Sequence, residues 1–244
     1  MHHVLVDCSP DACDQSRPDF RTVTVNHGIG SPRDAQTDGP VTLGADFAEN
    51  FLLESTEGLA MNQVGWGRIN REDLNDLMEM NTRYHDFMLR TPYGAQVAAS
   101  DLAAHIRDTI LAIASGNAVA GQPGTPEDRF FLLDGHDADL TWLKGLLRLD
   151  WLLPDQTFNA TPPASALVFE VHRNRQTRSP SVQVLFISQT LDQMRFLRPL
   201  TGTEQPSTAP VFVPGCSGPA PAYACSVEGF AAVVTAAIDP RFVE

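Results

Sequence analysis

The residues with most to offer chemically stand together in Arg129-Phe-Phe-Leu-Leu-Asp-Gly-His-Asp-Ala-Asp139. His136 and Asp137 are neighbours, and Asp139 follows closely. An imidazolium can hydrogen-bond a phosphoryl oxygen, and a protonated carboxyl can hand its proton to a departing oxygen. That combination suits the cleavage of a phosphate ester. The flanks suggest how such a pair would be positioned. The apolar run Phe130 to Leu133 is short enough for a buried strand, Gly135 interrupts it, and Leu140 to Leu149 repeats apolar residues at helical spacing. Strand, sharp turn and helix place polar side chains at the carboxyl end of a sheet, where α/β proteins bind ligands. The N–H groups of the helix start favour an anion at that point. A plainer reading competes: a solvated turn in which Asp137 or Asp139 only caps the helix.

The rest of the chain must hold that turn in place. Residues 1–41 are polar and turn-rich, with one short strand at Arg21-Thr-Val-Thr-Val25 and a Gly/Pro loop at Asn26 to Arg33. From Thr42 the pattern is helical, through Leu43, Phe47, Phe51 and Leu52 to a stop at Gly58. Asn70 caps a second helix with Leu74, Leu77, Met78, Tyr84 and Met88 inward, ending before Pro92. A third carries Val97, Leu102, Ile106, Ile110 and Ile113 and stops at Gly116. Residues 42–116 thus read as a helical domain, 117–128 as a linker, and 129–244 as an α/β domain. In the last, Leu167–Val171 and Val182–Ile187 read as a hairpin pair, Pro210–Val213 as a further strand, and Ser226 as the cap of a final helix.

The formal charge of −13 argues against a nucleic-acid partner, which calls for a basic face. No run reaches the ~18 apolar residues that span a membrane. Cys8 and Cys13 lie close in sequence, as do Cys216 and Cys225, each pair in a loop-like context. Two local disulfides, 8–13 and 216–225, are the simplest reading and imply an oxidising compartment. Met1 to Cys8 shows no export signal. Either the start has been removed or misassigned, or the cysteines stay reduced.

The order of landmarks resembles the C-terminal part of the histidine acid phosphatases, the bacterial periplasmic phytases and glucose-1-phosphatases above all. The residues that carry it are Phe51-Leu-Leu53, Gln63-Val-Gly-Trp-Gly-Arg-Ile69, Arg90-Thr-Pro92, Gly135-His-Asp137 and Thr161-Pro-Pro163. Leu167-Val-Phe-Glu170, Gln189 to Arg195, Gly215-Cys216 and Cys225-Ser226 complete the series. The resemblance covers roughly residues 40–235. It implies a partial phosphoglycerate-mutase-like α/β domain, with a mixed sheet flanked by helices, and an inserted helical domain. It also implies a periplasmic or secreted protein acting on a small phosphomonoester, with no cofactor, metal or membrane. It sets no oligomeric state.

The implied mechanism has two steps. A His in an N-terminal Arg-His-Gly-x-Arg-x-Pro motif attacks phosphorus. Arginines hold the phosphoryl oxygens, and the Asp of the His-Asp pair protonates the leaving oxygen. Carried over by motif, Asp137 is the general acid and His136 a phosphate ligand. Arg90, Met61 and Ala138 belong to the substrate pocket; Arg90 reads equally as a helix-terminal charge. The nucleophile motif itself is absent. Its nearest look-alike, Asn26-His-Gly-Ile-Gly-Ser-Pro32, has no arginine to clamp a phosphate, so His27 reads as a loop histidine.

The expectation is a chain inactive by itself. A non-catalytic relative that keeps the fold and weak anion binding is the alternative. A metal-dependent hydrolase using His136, Asp137 and Asp139 is a third reading, with too few ligands. Where relatives carry Thr/Ser-Asn after the His-Asp, this chain has Ala138-Asp139. At ~8 Å and an effective dielectric of ~20, that extra charge repels each substrate charge by about 2 kcal/mol before screening. The effect disfavours a polyanion such as phytate more than a monophosphate.

Overall fold

The structure, a computed structural model, describes Val4 and residues 26–29, 35–219 and 222–244. The Cys8–Cys13 bridge and the strand at Arg21–Val25 lie outside the described residues. Two compact units are present. The first takes the chain up to Met88 and then 154–160 and 189–206; the second takes 89–153, 161–188 and 207–244.

In the first unit, β1 (Asn26–Ile29) pairs antiparallel with β2 (Ala35–Asp38), His27 standing opposite Thr37. This corrects the loop expected from Asn26. Gly28 does not prevent pairing, because a two-stranded ladder still satisfies its backbone groups. Helix α1 (Pro40–Thr56) starts with Pro40 in its first turn, where the missing N–H matters least. Gly58 follows it with φ 87°, the expected stop.

Helix α2 (Arg71–Leu89) is closed by a reciprocal cap. Asn70 Oδ1 accepts the N–H groups of Glu72 and Asp73 at 2.8 and 3.1 Å, and the Asp73 carboxylate accepts Asn70 N–H at 2.9 Å. Phe51 and Leu52 of α1 and Leu74 and Leu77 of α2 bury together with Val64 and Ile69. Leu191 and Met194, from the short helix α5 (Leu191–Arg195), complete that core. Arg195 donates to the Ser55 and Leu59 carbonyls, each at 2.6 Å, satisfying acceptors that the end of α1 leaves over.

The second unit packs α3 (Pro92–Ser115), α4 (Asp137–Leu147) and α6 (Val227–Ala237) with one sheet. Compactness thus groups α3 with the segments after it, although periodicity alone set it with 42–116. In the sheet, β3 (Ala166–Arg173) pairs with β4 (Pro180–Ser188), from Ala166↔Ile187 to Arg173↔Pro180. β4 also pairs with β5 (Ser207–Pro210) and with the two-residue β6 (Cys225–Ser226). Val182, Val184 and Phe186 alternate inward and are buried, as the period of a strand requires. Val211 N–H donates to the Val184 carbonyl at 2.8 Å, so the pairing expected at Pro210–Val213 is realised a few residues earlier.

All pairings among the described residues are antiparallel, which differs from the mixed sheet implied by resemblance. The residues expected to add another strand, Phe130 to Leu133, take no part in the sheet. A strand exists only beside a partner that satisfies its N–H and C=O groups, and no described segment pairs with this run. Cys216 and Cys225 form the expected disulfide. Closing so short a loop contributes roughly 2–3 kcal/mol.

The approach of α3 to α4 depends on small residues. Ala95, Ala99 and Ala103 of α3 are buried beside Leu143, Leu146 and Leu147 of α4. A Cβ at Gly145 would lie 2.9 Å from Ala95 Cβ and 3.1 Å from Arg90 Cα, neither of which can swing away. Gly145→Ala is therefore expected to destabilise the chain by about 1–3 kcal/mol through overpacking. Urea unfolding checks this; an unchanged or raised midpoint would show that the helices have room to spare.

Candidate active site

α4 begins at Asp137, and His136 is its N-cap with extended backbone (φ −99°, ψ 165°). The cap is built by Asp139. Its Oδ2 accepts His136 N–H at 2.8 Å, and its own N–H donates to the His136 carbonyl at 3.0 Å. Asp137 Oδ1 accepts Ala138 N–H at 2.8 Å. The helix therefore fixes the His136–Asp137 backbone through groups local to the turn. His136 is exposed and Asp137 half-buried, so both are within reach of a ligand.

Gly135 makes the arrangement possible. A Cβ there would stand 2.7 Å from Asp139 Oδ2, the atom that accepts from His136. Asp139→Ala removes that acceptor and is expected to cost about 1 kcal/mol, a fall in Tm of about 2–4 °C. Asp139→Asn keeps an acceptor oxygen and is expected to lose far less. Calorimetry on both variants decides: equal losses would mean the charge, not the cap, stabilises the turn.

Arg90 lies elsewhere. Its guanidinium donates to the Leu149 carbonyl at 2.9 Å and to Asp150 Oδ1 at 2.7 Å, just past the carboxyl end of α4. α4 has 11 residues, so about 16 Å of helix separates its two ends. Arg90 thus meets a helix carboxyl terminus, where a cation is favoured, and Asp137 stands at the amino terminus. Ala138 sits in the first turn beside Asp137. Met61 belongs to the first unit, half-buried against the core of Phe51 and Leu74. Asp150, the partner of Arg90, was not singled out by sequence; its signal was only a carboxylate just beyond a helix end. Among the described residues no three His, Cys, Asp or Glu side chains gather to hold a metal ion, and no helix is long and apolar enough to cross a membrane.

Residues 69–187 match the family model of the histidine phosphatase superfamily, branch 2. Over that stretch, just under half of its length, the chain is similar to that superfamily. The match contains Gly135, His136, Asp137 and the hairpin of β3 and β4 except its last residue, Ser188. Phytase AppA of Escherichia coli (strain K12) is 33 % identical over 203 residues, covering 83 % of this chain and 46 % of that protein. Glucose-1-phosphatase of Salmonella typhimurium is 27 % identical over 182 residues, covering 73 % and 41 %. Among solved structures, the tartrate complex of Hafnia alvei phytase superposes with a TM-score of 0.83 at 30 % identity, over 94 % of this chain and 56 % of that one. The chain spans about half the length of the curated relatives it matches.

Proposed function

We propose that this chain supplies the proton-donating side of a histidine phosphatase that hydrolyses small phosphomonoesters. The observation that carries the reading is the turn itself: His136 and Asp137 presented at the start of α4, locked by Asp139 and exposed to a ligand. In this reading the protonated Asp137 carboxyl gives its proton to the ester oxygen as the P–O bond breaks. His136 hydrogen-bonds a phosphoryl oxygen, and the N–H groups of the first turn of α4 add favourable charge. Ala138 borders the substrate. Met61 is a substrate contact on resemblance only. Arg90 anchors the far end of α4 and so keeps the turn in register.

The chain carries no Arg-His-Gly-x-Arg-x-Pro sequence. Nothing in His136-Asp-Ala-Asp139 replaces a nucleophile flanked by guanidinium groups. The purified chain is therefore expected to show no turnover of p-nitrophenyl phosphate above background between pH 4 and 6. Turnover by the chain alone, lost when His136 and Asp137 are both changed to Ala, would overturn the half-site reading. The names of the relatives, phytase and glucose-1-phosphatase, support a phosphate ester of an alcohol or sugar as the substrate class. Disulfide chemistry at Cys216–Cys225 supports an oxidising compartment such as the periplasm.

A further inference from the structure

The carboxyl end of α1, in the first unit, holds a pocket that the proposed reaction does not use. Its volume is about 380 Å³, and Phe47, Phe51 and Trp66 line it together with Asn50, Glu54 and Glu57. That size is in the range of small-ligand sites. Phe51 is buried, whereas Trp66 is 58 % exposed. The Trp66 ring centre lies 6.0 Å from that of Phe47 and 5.6 Å from that of Phe51, whose ring meets it edge-on at 80°. The turn that holds the indole there is unusual. Gly65, Trp66 and Gly67 all have positive φ, 54°, 58° and 72°, which a bulky residue rarely adopts. The Gly65 N–H ties this turn to α1 by donating to Glu54 Oε2 at 2.8 Å.

The charge at the pocket is of one sign. Glu54 stands in the last turn of α1, and Glu57 is its C-cap. The carbonyls of a helix end carry partial negative charge, so carboxylates are disfavoured there and a cation is favoured. Arg195 reaches this end but donates to the Ser55 and Leu59 carbonyls. It forms no ion pair with either glutamate, and among the described residues no other cation does. The Arg68 guanidinium lies 5.6 Å from the Trp66 ring centre and donates to the Val4 carbonyl at 2.8 Å. The indole therefore already attracts a cation, and the two carboxylates beside it have none. A phosphate ester is an anion, so this pocket is unsuited to the substrate class proposed above.

We propose that the pocket binds a small organic cation of the alkylammonium class. The carbon atoms on the cationic nitrogen pack against Phe47, Phe51 and Trp66. The positive charge is shared between the electron-rich face of the indole and the carboxylates of Glu54 and Glu57. Aromatic walls exclude water from one side of the ligand, which strengthens the attraction of the carboxylates on the other. The site lies within the first unit and stands whether or not the phosphatase reading holds.

The test titrates the 244-residue chain with choline, and separately with 3,3-dimethylbutan-1-ol, which has the same shape without the charge. Calorimetry gives the affinity, and the indole N–H signal of Trp66 in NMR spectra gives the place. Saturable one-to-one binding of choline is expected to shift that signal, with the neutral alcohol weaker by about ten-fold or more. Trp66→Leu is expected to weaken choline by about ten-fold. Glu57→Gln, at an exposed side chain, is expected to weaken choline by about three-fold, to leave the alcohol unaffected and to leave the melting of the chain unchanged. The proposal is overturned if choline does not bind saturably, or if it binds without moving the Trp66 signal. Equal affinity for choline and the alcohol also overturns it, since the pocket would then be only an apolar groove. So does a Glu57→Gln chain that melts normally and binds choline as tightly as the unmodified chain.

Discussion

In any assembly of this chain that turns over phosphate esters, Asp137→Asn is expected to lower kcat for glycerol 2-phosphate by roughly 10²–10⁴-fold. The same variant is expected to lose far less with p-nitrophenyl phosphate. An alkoxide is a poor leaving group and needs its proton as the P–O bond breaks, whereas p-nitrophenolate departs without one. His136→Ala is expected to behave differently. A group that hydrogen-bonds the phosphoryl oxygens serves both substrates alike, so both rates should fall together. Steady-state kinetics on the two substrates separates the roles. Equal losses with both substrates for Asp137→Asn would show that Asp137 acts through charge or positioning and donates no proton.

The second large effect concerns stability. Trp151→Ala is expected to destabilise the second unit by about 3–5 kcal/mol, a large part of the 5–15 kcal/mol that holds a typical domain together. Trp151 is buried and stacks on Phe186 of the central strand β4, with ring centroids 4.2 Å apart and planes 11° from parallel. The Lys144 ammonium lies 5.4 Å from the centre of the same ring, although Lys144 is itself fully buried. Removing the indole leaves a cavity and takes away the cation–π contact of a charge inside the core. Trp151→Phe retains a stacking ring and should recover more than half of the loss. Urea denaturation followed by circular dichroism measures both, and a loss below 1 kcal/mol for the Ala variant would show that the core closes over the gap.

The chain announces those features whose chemistry is local. Asn70 with Asp73, Ser226 with the Gly229 N–H, and His136 with Asp139 all form caps between residues within one turn, and a cap needs only its own sequence. The stops at Gly58 and Gly116 are equally local: both residues adopt positive φ, 87° and 73°. The hairpin of β3 and β4 is legible because alternation and a polar turn specify it together. Features that depend on distant partners are not legible. Phe130 to Leu133 has the composition of a strand, but strand formation depends on what lies alongside. The third helix reads as one more amphipathic helix. Apart from Ser100, its most deeply buried residues are alanines, whose size, set against Gly145, decides which helix it meets. Arg90 declares a charge near a helix end, but its partners at Leu149 and Asp150 are brought to it only by the fold. At the turn, the residues proposed to carry the chemistry are adjacent in sequence, so the candidate acid is legible although the pocket around it is not.

The first unit is assembled from three stretches of chain, with the second unit's residues threaded between them. Its core waits for Leu191 and Met194, and the carbonyls at the end of α1 wait for Arg195. During synthesis, α1 and α2 therefore emerge well before the residues that seal them. At ~5–20 residues per second the delay is on the order of ten seconds, far longer than a helix takes to form. Phe51, Leu52, Leu74 and Leu77 spend that interval without their final cover. On the ribosome this polypeptide cannot mature from front to back, and the half-built first unit is the intermediate on which a chaperone would act.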